Sequence, residues 1–403
     1  MPRVQEAASV SSSFLSLFSG KLEDQFSETD CSSIRVSNQK AISFGHQPLI
    51  MKRSPETRKY LVVIYQTPHC EDHLPTTEGQ KAPLPEVPER VQTISNVLMA
   101  SASVAKHIVF QAPSQATDEE LEEIHKPLHL KTIHNAVERA RELDTSMIVN
   151  HNSDVVVTAG SELAAKYAAG AVRDAVRFVI SGRNHRAFCN VRPPGHHAEC
   201  AKAAGFCLYN NVWFGAQSAR YYLIASGKPN PRIAIIDWDV HHGDGTQSYV
   251  IRNPELFTYF VSIHQQFNTQ WPMTGKECEK IRHNSVVVCH NVPVDQGDDH
   301  IHEYFTNSLV PKLIAWKPDL IMISCGFDAH VLDPIGQLKY SSQLYGWMTE
   351  QLCQVAEQCC EGRVVSVLEG GYSLEALKEA SVEHVKALAG ISAAPEDRDE
   401  TSE

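Results

Sequence analysis

The sequence predicts an α/β fold, a mostly parallel sheet with helices on both faces, and three observations carry that expectation. Short apolar runs without polar alternation recur along the chain, as in "RIAIIDWDV" (232–240), "SVVVCHNVPV" (285–294) and "DLIMISCGFD" (319–328). Helix-length amphipathic segments lie between several of them, at 205–226, 300–316 and 341–361. Four runs, those ending in "DWDVHH", "SIH", "CGFDAH" and "LEGGY", carry polar residues at their C-terminal ends. Strands buried on both faces lose their alternation, and crossover helices make neighbouring strands parallel. Ligands of such sheets bind in the crevice at the C-terminal strand ends, so the four polar endings mark one candidate site.

Residues 1–58 show no sustained periodicity and read as a flexible leader. Its serine-rich start, "MPRVQEAASVSSSFLSLFSG", raises an organelle transit peptide; Glu6, Glu23, Asp24, Glu28 and Asp30 count against one, because such peptides are poor in acids. A catalytic domain is expected over 59–392, starting with the β-rich run "KYLVVIYQ" (59–66). A proline-rich loop follows at 69–90, with Pro75, Pro83, Pro85 and Pro88. Helices are expected at 89–102, 117–125 and 129–143, and an alanine-rich one in the second half of 153–182. The remaining strand runs are 187–191, 232–240, 256–264, 285–294, 319–328 and 363–372. Residues 393–403 form an acidic tail, read as solvated.

The 403 residues are 42% hydrophobic and 21% charged, enough for a sizeable core. A net charge of −12, from 48 acidic and 36 basic residues, argues against general binding to a nucleic-acid backbone. No apolar run approaches the roughly 20 residues of a membrane span, so no membrane partner is expected. Eleven scattered cysteines fit reduced thiols in an intracellular protein.

The densest chemistry lies in "IDWDVHHGDGTQ" (236–247). Read as strand, Asp237, Asp239 and His241 share one face by the period of two, while His242 points away as a structural residue. Such groups are costly to bury unless paired, and a metal ion is their commonest partner. Asp328, in "SCGFDAHVLDP", ends another run; it would complete an Asp–His–Asp ligand set, or equally cap a following helix. In "VRPPGHHAECAKAAGFC" (191–207) the adjacent His196 and His197 have diverging side chains, which suits separate roles, one as base and one as its neighbour. Pro193, Pro194 and Gly195 stiffen that loop.

Taken in order, "RPPGHHA", "GFCLYNNV", "DWDVHHGDGTQ", "GFDAHVLDP" and "LEGGYSLEAL" resemble the zinc-dependent histone deacetylase superfamily. "VPER" (87–90) is similar to that family's N-terminal "HPER" motif. The resemblance runs from about 60 to 390 and is nearer to class II and to bacterial- and plant-type deacetylase-like amidohydrolases than to class I. It implies a single arginase/deacetylase-like domain with a mostly parallel eight-stranded sheet. It also implies one catalytic zinc on Asp239, His241 and Asp328, and structural potassium near Asp237, Asp239, His241 and Ser262. His197 would be the general base toward metal-activated water, and His196 would stabilise and protonate the leaving amine. Asp237 and Asp244 would orient His196 and His197 respectively, and Tyr372 would donate to the acyl oxygen as it becomes an oxyanion.

The implied reaction is hydrolysis of the acetyl amide of acetyl-lysine, in histones or other proteins, to lysine and acetate. A role in chromatin regulation and a nuclear or cytoplasmic location follow from the family alone. Gly205 and Phe206 match its tunnel lining, and Trp271 the aromatic that faces that phenylalanine. Asp154 resembles the acid that anchors the substrate backbone. Ile335 holds the gatekeeper position, where an apolar side chain favours acyl-lysine over acetylpolyamine. Two alternatives stand beside this reading: a deacetylase of small acetylated amines or polyamines, and an acyl-lysine-binding scaffold without turnover. Intact His197 and Tyr372 argue against the second. One departure concerns "PMTGKECEKIRHNSVVV" (272–288), where Met273 replaces a glycine and later glycines are absent, so the tunnel rim is expected to be reshaped.

Overall fold

The structure is a computed structural model, and it describes residues 60–75, 84–149, 154–182 and 185–391. The expected leader and acidic tail lie outside these residues. The strands are β1 (Leu61–Tyr65), β2 (Ile108–Gln111), β3 (Met147–Ile148), β4 (Val156–Val157), β5 (His185–Cys189) and β6 (Ile233–Asp237). They continue with β7 (Thr258–Gln265), β8 (Cys278–Arg282), β9 (Ser285–Val292), β10 (Leu320–Cys325) and β11 (Val364–Leu368). Among the described residues, nine of them form one sheet in the order β2-β1-β5-β11-β10-β6-β7-β9-β8, while β3 and β4 pair separately.

Eight strands of this sheet pair in parallel, from β2 through to β9, and β8 joins β9 antiparallel. The expected eight-stranded sheet therefore gains a ninth strand at its edge. That strand, "CEKIR", carries Glu279, Lys280 and Arg282 and is largely exposed. Charges protect an edge strand from further pairing, and they also erase the apolar signal that revealed the others. The rim segment 272–288 is thus partly a hairpin and not only a loop.

Helices cover both faces. Phe188 of β5 packs against His384 in the helix Leu374–Leu388, with ring centroids 5.3 Å apart. The next residue, Cys189, donates from Sγ to the Ala171 carbonyl in the helix Ser161–Ser181. Successive strand residues point to opposite faces, so these two helices lie in opposite layers. The amphipathic segment 205–226 becomes helical only from Asn211, because the Asn210 side chain accepts from Trp213 N and sets the start. Gly205 and Phe206 are thereby left in the loop that faces the site. A helix over Asp244–Arg252 carries no clear sequence signal, since its first turn contains "DGT" and lacks an apolar stripe.

Four central neighbours, β5, β11, β10 and β6, end at one level. Register places Asp237 beside Ser324 on one side and Ser262 on the other, and Cys325 beside Leu368. The ends of β6, β10 and β11 carry three of the polar endings noted in the sequence, and the fourth, "SIH", lies within β7 beside them. No described helix is long and apolar enough to cross a membrane.

Candidate active site

Strand β6 stops at Asp237, so the period-two reading of "DWDVHH" is corrected here. The carboxylates themselves turn the chain: Asp237 Oδ1 accepts from Asp239 N at 3.1 Å, and Asp239 Oδ1 accepts from His241 N at 2.9 Å. Side-chain bonds to the backbone two residues on compete with the strand ladder and replace it. Asp237 goes on to bond His196, while Asp239 lies against His241. Asp328 follows β10 and caps no helix; its Oδ1 accepts from Val240 N at 2.8 Å, across the gap between two loops.

Asp239, His241 and Asp328 present ligand atoms that all lie within 4.8 Å of one another. His241 Nδ1 stands 2.9 Å from Asp239 Oδ1 and 3.2 Å from Asp328 Oδ2. Asp328 Oδ2 is buried and accepts no hydrogen bond. A Cβ on Gly370 would sit 2.2 Å from that oxygen and 2.6 Å from Asp239 Oδ2, so only glycine lets the backbone come this close. Gly370 N donates to Asp239 Oδ2 at 2.8 Å. Burial and the charge of Asp239 push the Asp328 carboxyl up to about 7. Burial works against a charged His241, but the bonded Asp239 and the nearby Asp328, through contact and charge, lift it to about 10. Two buried carboxylates, one imidazole nitrogen and an unpaired oxygen form a donor set short of positive charge. That set fits a divalent ion bound by nitrogen and oxygen, with positions left open.

Beside this cluster stand two imidazole–carboxylate pairs. His196 Nδ1 hydrogen-bonds Asp237 Oδ2 at 3.0 Å, and His197 Nδ1 hydrogen-bonds Asp244 Oδ1 at 2.8 Å. His196 Nε2 is 3.7 Å from Asp239 Oδ1, and the rings of His197 and His241 are 5.9 Å apart. Burial opposes charge on His196, yet Asp239 and Asp237 outweigh it and hold the imidazolium well above its ordinary range. His197 is held down to about 4, by burial first and then by the charge of His196, against the pull of Asp244.

Tyr372 follows β11 in a turn that two side chains hold. Asp333 Oδ2 accepts from Tyr372 N at 2.6 Å and from Ser373 N at 3.2 Å. Arg90 donates from Nε to the Gly371 carbonyl at 2.6 Å, and its guanidinium lies 5.0 Å from the Tyr372 ring centre. Burial first, and then Asp328, raise the phenol well above 10, so it keeps its proton. These supports were not marked by sequence reasoning. Glu86 pairs with both Arg90 (2.9 Å) and Arg192 (2.8 Å), and all three are fully buried. Glu369 Oε2 accepts from Gly195 N at 2.7 Å and from His196 N at 3.1 Å, fixing the histidine loop. Their one signal is a charge set inside an apolar or proline-bounded motif, as in "VLEGG", "PEVPER" and "VRPPG".

The residues expected at the substrate tunnel also gather here, by different contacts. Trp271 packs edge-on against His197, with centroids 4.6 Å apart, and remains 39% exposed. Phe206 meets Tyr372 at 6.0 Å. Gly205 has φ +53°, and a Cβ there would lie 2.4 Å from His197 Cδ2 and 2.7 Å from the Trp271 ring. Asp154 Oδ2 accepts from Gly205 N at 3.3 Å, and its buried Oδ1 has no partner. Ile335 is half-buried, with N–H on Asp333 Oδ1 at 3.0 Å. His242 is buried and bonded to Thr274 Oγ1 at 2.8 Å. Ser262 Oγ, within β7, accepts from Gly243 N at 3.2 Å.

A parallel sheet with this carboxylate–imidazole cluster at its central strand ends defines an α/β protein of the arginase/deacetylase-like class. The histone deacetylase domain profile matches residues 84–388. Histone deacetylase 5 of Arabidopsis thaliana is 32% identical over 338 residues, covering 81% of this chain and 48% of that protein. The chloroplastic histone deacetylase 14 of the same plant is 32% identical, covering 76% of this chain and 73% of its own length. The crystal structure of the HDA15 HD domain superposes with a TM-score of 0.72 at 28% identity, over 83% of this chain and 91% of that one. The chain belongs to the histone deacetylase family. It spans about half the length of several curated plant relatives, 48% and 54% in two of them.

Proposed function

We propose that the chain hydrolyses the acetyl amide of acetyl-lysine in proteins or peptides, releasing lysine and acetate. The observation that carries this reading is the convergence of two carboxylate-oriented histidines on the Asp239–His241–Asp328 cluster. Zinc held by those three residues would supply Lewis acidity toward an amide carbonyl and acidify a water molecule. His197, neutral near pH 7 with Nδ1 fixed by Asp244, has Nε2 free to take the proton of an attacking water. His196, kept charged by its carboxylate neighbours, stabilises and protonates the leaving amine. Tyr372 keeps its proton and donates it as a hydrogen bond to the developing oxyanion, a contact worth about 3 kcal/mol.

The substrate stem would run past Trp271 and Phe206, apolar walls suited to methylene groups, beside Asp154, which holds the Gly205 N–H and stands at the position of the family's backbone-anchoring acid. Ile335 brings no charge for a second ammonium, which favours acyl-lysine over acetylpolyamine. The test compares acetate release by the zinc-loaded chain from acetyl-lysine peptides, acetylpolyamines and acetylated arylamines. The peptide is expected to turn over fastest, and faster turnover of either small amine would overturn the substrate assignment. Tyr372→Phe is expected to lower turnover by about 10²–10³ while zinc stays bound. Unchanged turnover in that variant would remove the assigned mechanism, and no turnover in the wild type would favour a scaffold.

A further inference from the structure

Gln270 precedes Trp271, and nothing in its sequence context marks it. Its amide nitrogen, Nε2, lies 3.1 Å from His241 Nε2 and 3.5 Å from the Ile335 carbonyl, so His241 is its nearer partner. The other ring nitrogen of His241, Nδ1, faces the Asp239 and Asp328 oxygens at 2.9 and 3.2 Å. An imidazole that binds a cation through Nδ1 carries its ring proton on Nε2, and that N–H needs an acceptor. The group placed to serve is the Gln270 amide, which can present either oxygen or nitrogen after a half-turn.

We propose that Gln270 is a positioning residue for the metal ligand His241: its Oε1 accepts the Nε2–H, fixing the tautomer and ring plane that aim Nδ1 between Asp239 and Asp328. A side chain without a polar end would leave that N–H without an acceptor.

This inference rests on the metal-site reading above, and its test separates the two. Zinc affinity is measured by competition with a chelator for the wild type, Gln270→Leu and Gln270→Glu, alongside the unfolding midpoints of the metal-free proteins. The leucine, similar in size but without an acceptor, is expected to weaken zinc binding about 10–100-fold with little change in the metal-free midpoint. The glutamate keeps an acceptor on Nε2–H and is expected to bind zinc at least as tightly as the wild type. Leucine binding zinc like the wild type, or glutamate binding as weakly as leucine, would overturn the inference. If the leucine variant does not fold, the glutamate comparison alone decides, since weakened binding there contradicts an acceptor role. A wild type that takes up no zinc would instead overturn the proposed function itself.

Discussion

His196 and His197 are neighbours in sequence and make the same bond, Nδ1 to an aspartate, at 3.0 and 2.8 Å. They end with different charge, one an imidazolium and the other neutral. His196 is buried, but Asp239, Asp237 and Glu369 surround it and keep it protonated. His197 is equally buried, faces the charge of His196 and has only Asp244 in its favour, so it is held down to about 4. The hydrogen-bond partner therefore does not decide the role of a histidine; the sum of charges around the ring does. The pair can in this way divide acid and base work at one pH.

The comparison can be broken most severely by removing the neutral member. His197→Ala is expected to cut acetate release by about 10²–10⁴ with zinc retained, the range of a general base. A smaller and more diagnostic effect is expected at the charged member. Asp237→Asn removes an anion from His196, which lowers its pKa, so the alkaline limb of the turnover profile should move to lower pH. Glu369→Gln should move it the same way but less, because Glu369 is itself pushed up to about 7 and carries less charge near neutrality. A profile unmoved by both changes would mean that His196 is not the acid.

Much of this site was legible because polar residues interrupt apolar runs at strand ends, where burial without pairing would be costly. The His–Asp pairs came from resemblance, and the structure places their atoms in contact. The strand reading of 232–240 failed at Asp237: Trp238 and Val240 alternate with aspartates and mimic a strand, while the aspartates bond the backbone and end it. The Glu86–Arg90–Arg192 cluster stayed hidden because a buried ion pair and a solvated one look alike in sequence. The edge strand β8 stayed hidden for its charges.

Met273, noted as standing in place of a glycine, has φ +63° and an exposed side chain. A non-glycine residue in that left-handed region costs about 1 kcal/mol, so the rim retains a glycine's backbone without its freedom. Met273→Gly is expected to raise stability by up to about 1 kcal/mol in denaturant unfolding, the smallest effect predicted here, with both histidine pKa values unmoved.

The division of charge between the two histidines is tested most directly by an NMR titration of ¹⁵N-histidine in the metal-free chain, with His196 and His197 assigned by substitution. The account predicts that His197 is neutral from about pH 5 upward while His196 remains an imidazolium to well above its ordinary range. Both rings titrating together near 6.5, or His196 losing its proton first, would contradict it.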